Sequence, residues 1–282
     1  MGPNGAGKTT TIRIFMNLTR PTSGEARIFG LDSVQDSLEV KSLVGIVPDI
    51  SNIFPEISTL SNLLFTGSLY GLGRKERRSR AEELLETFTL SEHADKKAGQ
   101  LSHGLKRRLA IAMSIVHSPK VVFLDEPTSG LDVSSARGIR NLVNSLKATG
   151  TTFFLTTHNM EEANELSDRI AVINQGNIIA IDTPERLKRE AVESQVLLVE
   201  FNRTLNEEEK KELASTSHLS DVCMENNSYK FHTGNPESAI DSIVQFASKH
   251  GLKIRLINTL GPSLEDVFLR LTGEEARIGR NR

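Results

Sequence analysis

The chain has 282 residues, 38% hydrophobic and 25% charged, which is the profile of a soluble globular protein with room for one large or two medium domains. A net charge of −2 gives no general attraction to nucleic acid or an anionic membrane. No run of about 18 apolar residues occurs to span a bilayer as a helix. The Gly-rich start lacks the apolar core of a signal peptide, and a single cysteine, Cys223, excludes an internal disulfide and suits a reducing compartment.

The first stretch, Gly2-Pro3-Asn4-Gly5-Ala6-Gly7-Lys8-Thr9-Thr10, has the spacing G-x-x-x-x-G-K-[ST] of a phosphate-binding loop. Glycines let the backbone approach an anion closely, and the freed N–H groups cradle phosphate oxygens. Lys8 adds a point charge for the β and γ phosphates, and the Thr9 hydroxyl suits Mg²⁺. Thr11–Leu18 reads as the helix that the loop opens, its positive end aimed at the same anion. Glu25–Gly30 reads as a short strand, Ser37–Lys41 as a helical turn and Leu43–Pro48 as a buried strand ended by its proline. Leu60 to about Leu90 is helical in pattern, broken at Gly71-Leu72-Gly73. A second helix follows Ser102, with Leu105, Leu109, Ala112, Met113 and Val116 on one stripe.

Val121-Val122-Phe123-Leu124 is wholly apolar, as a strand inside a parallel sheet should be, and it runs into Asp125-Glu126. Ligands bind beyond the carboxyl ends of such strands. Asp125 is therefore placed to hold Mg²⁺ and Glu126 to act as base toward an attacking water. Asp132 can cap a helix carrying Ile139, Leu142, Val143 and Leu146. Thr152–Thr157 reads as another buried strand and Glu161–Leu166 as a helix. Asn174-Gln175-Gly176-Asn177 is a hairpin turn between Arg169–Ile173 and Ile178–Asp182. Thr183-Pro184 opens a helix to about Glu190. Strands alternating with helices argue for an α/β domain over residues 1–190. After a polar linker near 188–195 the rhythm becomes β-α-β-β-α-β plus a final helix, with one turn at Asn226-Asn227. That is a small α+β, ferredoxin-like accessory domain over 196–273, followed by a polar tail, 274–282.

With the loop and the Asp125-Glu126 strand both in hand, the sequence resembles the ATP-binding subunits of ABC transporters. Leu101-Ser102-His103-Gly104-Leu105 is similar to the family signature Leu-Ser-Gly-Gly-Gln, which meets the γ-phosphate held by the other subunit. Ser102 and Gly104 match, while His103 and Leu105 depart. His103 is either a surface residue without a role or a pH-dependent charge near phosphate. Ser129-Gly130-Leu131-Asp132 resembles the loop that crosses the dimer, a role Asp132 can combine with capping. Thr157-His158 resembles the family's switch histidine, a catalytic partner of Glu126. Gly45-Ile46-Val47-Pro48-Asp49 resembles the segment in which the family carries a Mg²⁺-contacting Gln. An Asp oxygen suits Mg²⁺ too, yet it adds negative charge near phosphates, so direct coordination by Asp49 stays open. Pro262 to Gly273 looks like the end of the accessory domain in drug-, antibiotic- and ion-efflux members.

The resemblance implies a P-loop NTPase fold with a helical subdomain over about 55–117, and ATP and Mg²⁺ as cofactors. It implies a homodimer or a paired related ATPase subunit, a membrane-spanning permease subunit as partner, no nucleic acid, and a place on the inner face of the cell membrane. The alternatives are a soluble ABC ATPase and a hydrolysis-impaired chain acting through partners. In the family a buried strand leads directly into the glycines, whereas here only Met1 precedes Gly2. The expectation is weak folding or weak nucleotide binding for the chain as written, through a true truncation or a start placed too late.

Overall fold

The computed structural model describes residues 1–50, 52–190, 195–215, 219–225, 228–261 and 263–272. The Asn226-Asn227 turn, residues 191–194 of the linker, Pro262, Gly273 and the polar tail lie outside them. The chain divides into two units, Met1–Ile181 and Asp182–Arg282, so the division falls ahead of the helix beginning at Pro184 rather than behind it.

In the first unit, α1 (Lys8–Phe15) buries Ile12 against Val44, Val121 and Phe123. The stretch read as one strand at Glu25–Gly30 is a miniature hairpin, β1 (Arg27–Ile28) against β2 (Leu31–Asp32). It is turned by Phe29 and Gly30, both at positive φ. Helix α2 (Ser37–Leu43) leads into β3 (Val44–Val47), which pairs in parallel with β4 (Val121–Asp125), and β4 pairs in parallel with β5 (Thr152–Thr156). All five residues of β4 are buried, which its unbroken apolar run requires of a central strand.

Beside the sheet stands a helical region of α3 (Thr59–Leu69), α4 (Arg74–Thr87) and α5 (His103–Ser114), with two single 3₁₀ turns between α4 and α5. The break between α3 and α4 falls at Gly71–Gly73, where the glycines stand. Helix α5 is covered well beyond the expected stripe, since Ala110, Ile111 and Ser114 are buried along with Leu109, Ala112 and Met113. It packs against β3, α3 and α6 (Val133–Lys147), and a helix with neighbours on three sides has little face left for solvent.

Strand β5 corrects one expectation. It was read as buried, but Thr152 is exposed and Phe154 is 38% exposed. Among the described residues no strand pairs with its second edge. That edge borders a cavity of about 580 Å³ whose far wall includes Ile170, Ile173, Ile178 and Ile181. Helix α7 (Met160–Leu166) and the hairpin β6 (Ile170–Asn174) and β7 (Asn177–Asp182) complete the unit. Gln175 and Gly176 take φ of +49° and +80°, the turn that the Asn-Gln-Gly-Asn sequence predicts. Met1 and Gly2 bridge across the end of the cavity. Ile173 N–H donates to Met1 O (2.8 Å), and Gly2 N–H donates to Thr157 O (3.3 Å).

The second unit begins with α8 (Pro184–Glu190) and holds an antiparallel sheet of β8 (Gln195–Phe201), β9 (Ser220–Glu225), β10 (Ser228–Thr233) and β11 (Ile254–Leu260). The strand order is β11-β8-β10-β9, which is the arrangement of a ferredoxin-like split. Helices α9 (Glu207–Ala214) and α10 (Pro236–Lys249) cover a core of Leu197, Val199, Phe201, Leu213, Phe231 and Ile243, and α11 (Leu264–Thr272) ends the described chain. Among the described residues no helix is long and apolar enough to cross a membrane.

Candidate functional site

The phosphate-binding loop is pinned at both ends. Ala6 N–H donates to Pro3 O (3.2 Å) within the loop, and Gly176 N–H, from the β6–β7 turn, donates to Ala6 O (3.0 Å). Gly7 sits at φ +105°, a conformation open to glycine, and it hands the chain to α1 with no side-chain cap. The first N–H groups of α1 therefore face outward with the positive end of the helix dipole behind them. Asn4, Gly5, Thr9 and Thr10 are exposed, while Lys8 is buried. The Lys8 ammonium donates to Gly2 O (2.8 Å) and Pro3 O (3.1 Å) and pairs with Glu126 Oε1 at 3.2 Å.

Glu126 is held on every side. It follows β4 at φ +48°, a left-handed conformation rare for a residue with a Cβ. Its N–H donates to Thr156 O (2.9 Å), and its carbonyl accepts from Ser129 N–H (3.1 Å) and Arg107 Nη2 (2.7 Å). Its other carboxylate oxygen, Oε2, lies 2.8 Å from His158 Nδ1 and accepts from the His158 N–H at 3.4 Å. The chain thus brings Lys8, Glu126 and His158 into one bonded group from three separate motifs. Asp125 is buried one residue earlier and accepts a hydrogen bond from the Thr156 hydroxyl, because the parallel register sets Asp125 opposite Thr156.

Glu162, on α7, is fully buried behind this group, and both carboxylate oxygens lack a hydrogen-bond partner of good geometry. Burial pushes its pKa above the ordinary value, outweighing the nearby Thr157 and Thr128 hydroxyls that pull the other way.

The signature residues form a second group. Ser102 caps α5, its Oγ accepting from Leu105 N–H at 3.4 Å. Asp132 caps α6, accepting from Ser135 N–H (2.9 Å) and Ser135 Oγ (2.7 Å), bonds that hold its pKa below the ordinary value. The two caps touch. A Cβ on Gly104 would stand 2.7 Å from Ser135 Oγ and 3.0 Å from Ser135 Cβ, so a larger residue there makes the Ser135 side chain, and its bond to Asp132, give way. His103 Nδ1 lies 3.2 Å from Gly130 O, which ties the first altered residue of the signature to the loop before Asp132.

Asp49 is exposed beyond β3. Its neighbour Pro48 offers its carbonyl to Arg107 Nη1 at 2.7 Å. Among the described residues neither Thr9 nor Asp49 is hydrogen-bonded to Asp125, and no three His, Cys, Asp or Glu side chains gather to hold a metal by themselves. The donor set fits a hard cation held by Asp125 and Thr9 together with oxygens of a ligand. Arg107, Thr156, Glu162 and Ser135 were not singled out from the sequence. Thr156 was within reach, since it stands at the carboxyl end of β5 as Asp125 does at that of β4. Nothing in the sequence separates Arg107 from its neighbours Lys106 and Arg108.

Residues 1–129 match the family described as ABC transporter, and residues 183–272 match the ATP-binding protein DrrA1-3-like, C-terminal domain. The daunorubicin resistance ATP-binding protein DrrA2 of Streptomyces coeruleorubidus is 38% identical over 275 residues, covering 97% of this chain and 85% of that protein. The linearmycin resistance ATP-binding protein LnrL of Bacillus subtilis (strain 168) is 34% identical over 279 residues, covering 98% of this chain and 89% of the relative. The Nod factor export ATP-binding protein I of Rhizobium sp. (strain N33) is 35% identical over 277 residues, covering 98% and 87%. Among solved structures, the ATP binding subunit of an ABC transporter superposes with a TM-score of 0.61 at 26% identity, covering 67% of this chain and 79% of that one. A dimeric ATP-binding cassette in a post-hydrolysis state, bound to ADP and Pi, does so at 0.58 and 30% identity, covering 65% and 83%. With nearly its whole length matched, both units included, the chain belongs to the ATP-binding subunits of ABC transporters.

Proposed function

We propose that this chain hydrolyses ATP to drive an exporter, as one of two ATPase subunits docked beneath a membrane-spanning permease on the cytoplasmic face. The observation that carries the reading is the placement of Glu126, with one carboxylate oxygen 3.2 Å from Lys8 and the other 2.8 Å from His158. Lys8 neutralises the phosphate oxygens and His158 orients the carboxylate, leaving Glu126 to take the proton of the attacking water. Asp125 and Thr9 would hold Mg²⁺, with Asp49 as a further candidate, and the ion would supply charge neutralisation at the β and γ phosphates.

Ser102 and Gly104 form the surface that meets the phosphates held by a second subunit, with Asp132 crossing between them. A head-to-tail pair then makes two equivalent sites. ATP bridges the two subunits and hydrolysis removes the bridge, a population shift that the permease reads out through the segment at Asp49. Export as the direction rests on the accessory unit, whose relatives are named for resistance and export. Against the hydrolysis-impaired alternative, the proximity of the Glu126 carboxylate to both Lys8 and His158 supports the hydrolytic reading.

Glu126→Gln tests the reading. Turnover should fall at least ~100-fold, the usual worth of a positioned base. ATP affinity should stay within about threefold, since the amide keeps the shape of the side chain. A nucleotide-bound dimer should accumulate on size exclusion. Turnover at the parent rate sinks the assignment.

A further inference from the structure

Helix α5 carries three consecutive cations, Lys106, Arg107 and Arg108, and of these Arg107 is buried, at 7% exposure. Buried guanidinium groups ordinarily pair with a carboxylate. Arg107 instead donates to two main-chain carbonyls, Nη1 to Pro48 O and Nη2 to Glu126 O, each at 2.7 Å. These carbonyls lie just past the carboxyl ends of β3 and β4, which are hydrogen-bonded neighbours. Burial lowers the Arg107 pKa, while Asp49, Glu162, Asp125 and Glu126 act in the opposite direction, so the cation sits among the carboxylates of the phosphate side without being ion-paired to one.

The two carbonyls are not arbitrary. One belongs to Glu126, whose left-handed backbone sends its carbonyl toward α5 and its carboxylate toward Lys8 and His158. The other immediately precedes Asp49. The planar fork of an arginine can span both with fixed geometry, which a lysine cannot do.

We infer that Arg107 is a positioning residue for hydrolysis: its guanidinium clamps the Pro48 and Glu126 carbonyls, so that the signature helix, the Asp49 segment and the aim of the Glu126 carboxylate shift together. The inference rests on Glu126 being the base. A displacement of the Asp49 segment by a partner then reaches the carboxylate through one side chain, and so does a displacement of α5 by an opposing subunit.

The test is steady-state ATP turnover by the full chain, with kcat and KM separated, for Arg107→Lys and Arg107→Met. The methionine reaches neither carbonyl, and kcat should fall ~100-fold with KM within about threefold. The lysine can hold one carbonyl, so it should recover part of that loss, to ~10-fold below the parent. If Arg107→Met does not fold, the lysine variant decides alone, because parent kcat with one carbonyl held overturns the clamp. In single turnover, Arg107→Met placed on Glu126→Gln should cost less than about twofold further, since it acts through the carboxylate already removed. A full additional loss there means a merely structural role and overturns the inference. Should Glu126→Gln itself keep parent turnover, the base assignment has failed and the positioning role of Arg107 falls with it. Should Glu126→Gln be inactive while Arg107→Met keeps parent kcat, the clamp has failed and the base assignment stands.

Discussion

The two surfaces that the family brings together around ATP are built on opposite principles within this one chain. On the phosphate side the charged groups are sunk and answer one another, with Lys8 and the Glu126 side chain only 7% and 13% exposed and bonded together. On the signature side Ser102, His103 and Asp132 are exposed; Ser102 and Asp132 bond as local helix caps and His103 to a main-chain carbonyl, with no ion pair for any of the three among the described residues. The first surface is complete as a charge network before any partner arrives. The second offers helix N-termini outward and holds its shape by neutral packing, as suits a surface read by an anion from another subunit. Catalytic charge must be aimed in advance, whereas an anion platform must stay open.

Three substitutions bear on that contrast. Gly104→Ala should have the largest effect. A methyl 2.7 Å from Ser135 Oγ either displaces that hydroxyl from Asp132 or strains the packing of α5 on α6, at a cost of about 1–3 kcal/mol in thermal unfolding. Ser135→Gly has a cost of its own, since it removes the Asp132 bond and puts glycine in a helix, but in that background Gly104→Ala should cost much less than in the parent. An undiminished cost there would mean that the approach to Ser135 is not what makes alanine costly. Glu162→Gln comes next and should stabilise the phosphate side by on the order of 1 kcal/mol at pH 8, by removing a buried charge without good partners.

The sign of the Glu162 effect follows from its raised pKa. The folded state keeps the proton longer than the unfolded state, so stability falls as pH rises from the ordinary value of 4.5 through the folded pKa. The gain from glutamine should therefore shrink as pH drops to about 4 in melting curves, and a gain constant with pH contradicts it. Asp132 gives the smallest effect and the reverse sign. Its folded pKa is lowered by the Ser135 bonds, so its contribution is present above the ordinary value of 3.8 and is lost as pH falls through the folded pKa. Asp132→Asn keeps a capping side chain and should remove that acid sensitivity. An unchanged acid limb argues against the cap.

Much of the phosphate side was legible because its residues lie at strand ends and in one contiguous loop, where spacing along the chain equals position in space. Gly2–Thr10, Asp125, Glu126 and His158 all belong to that class, and so do the α3–α4 break at Gly71–Gly73 and the turn at Gln175-Gly176. What escaped depends on non-local approach. Ser135 matters because α6 abuts Gly104, and Arg107 matters because two strand ends converge beneath α5. A third case is Phe154, whose apolar strand looks buried from sequence but is exposed because its second edge borders the cavity. Apolar composition reports the environment a strand is suited to and carries no record of which neighbours stand beside it.

The left-handed backbone of Glu126 has a consequence for how this position tolerates change. A residue with a Cβ held at φ +48° stores on the order of 1 kcal/mol that a glycine would not. On the role proposed for the carboxylate, Glu126→Gly would relieve that strain and remove the base in one step, so stability and turnover pull this position in opposite directions.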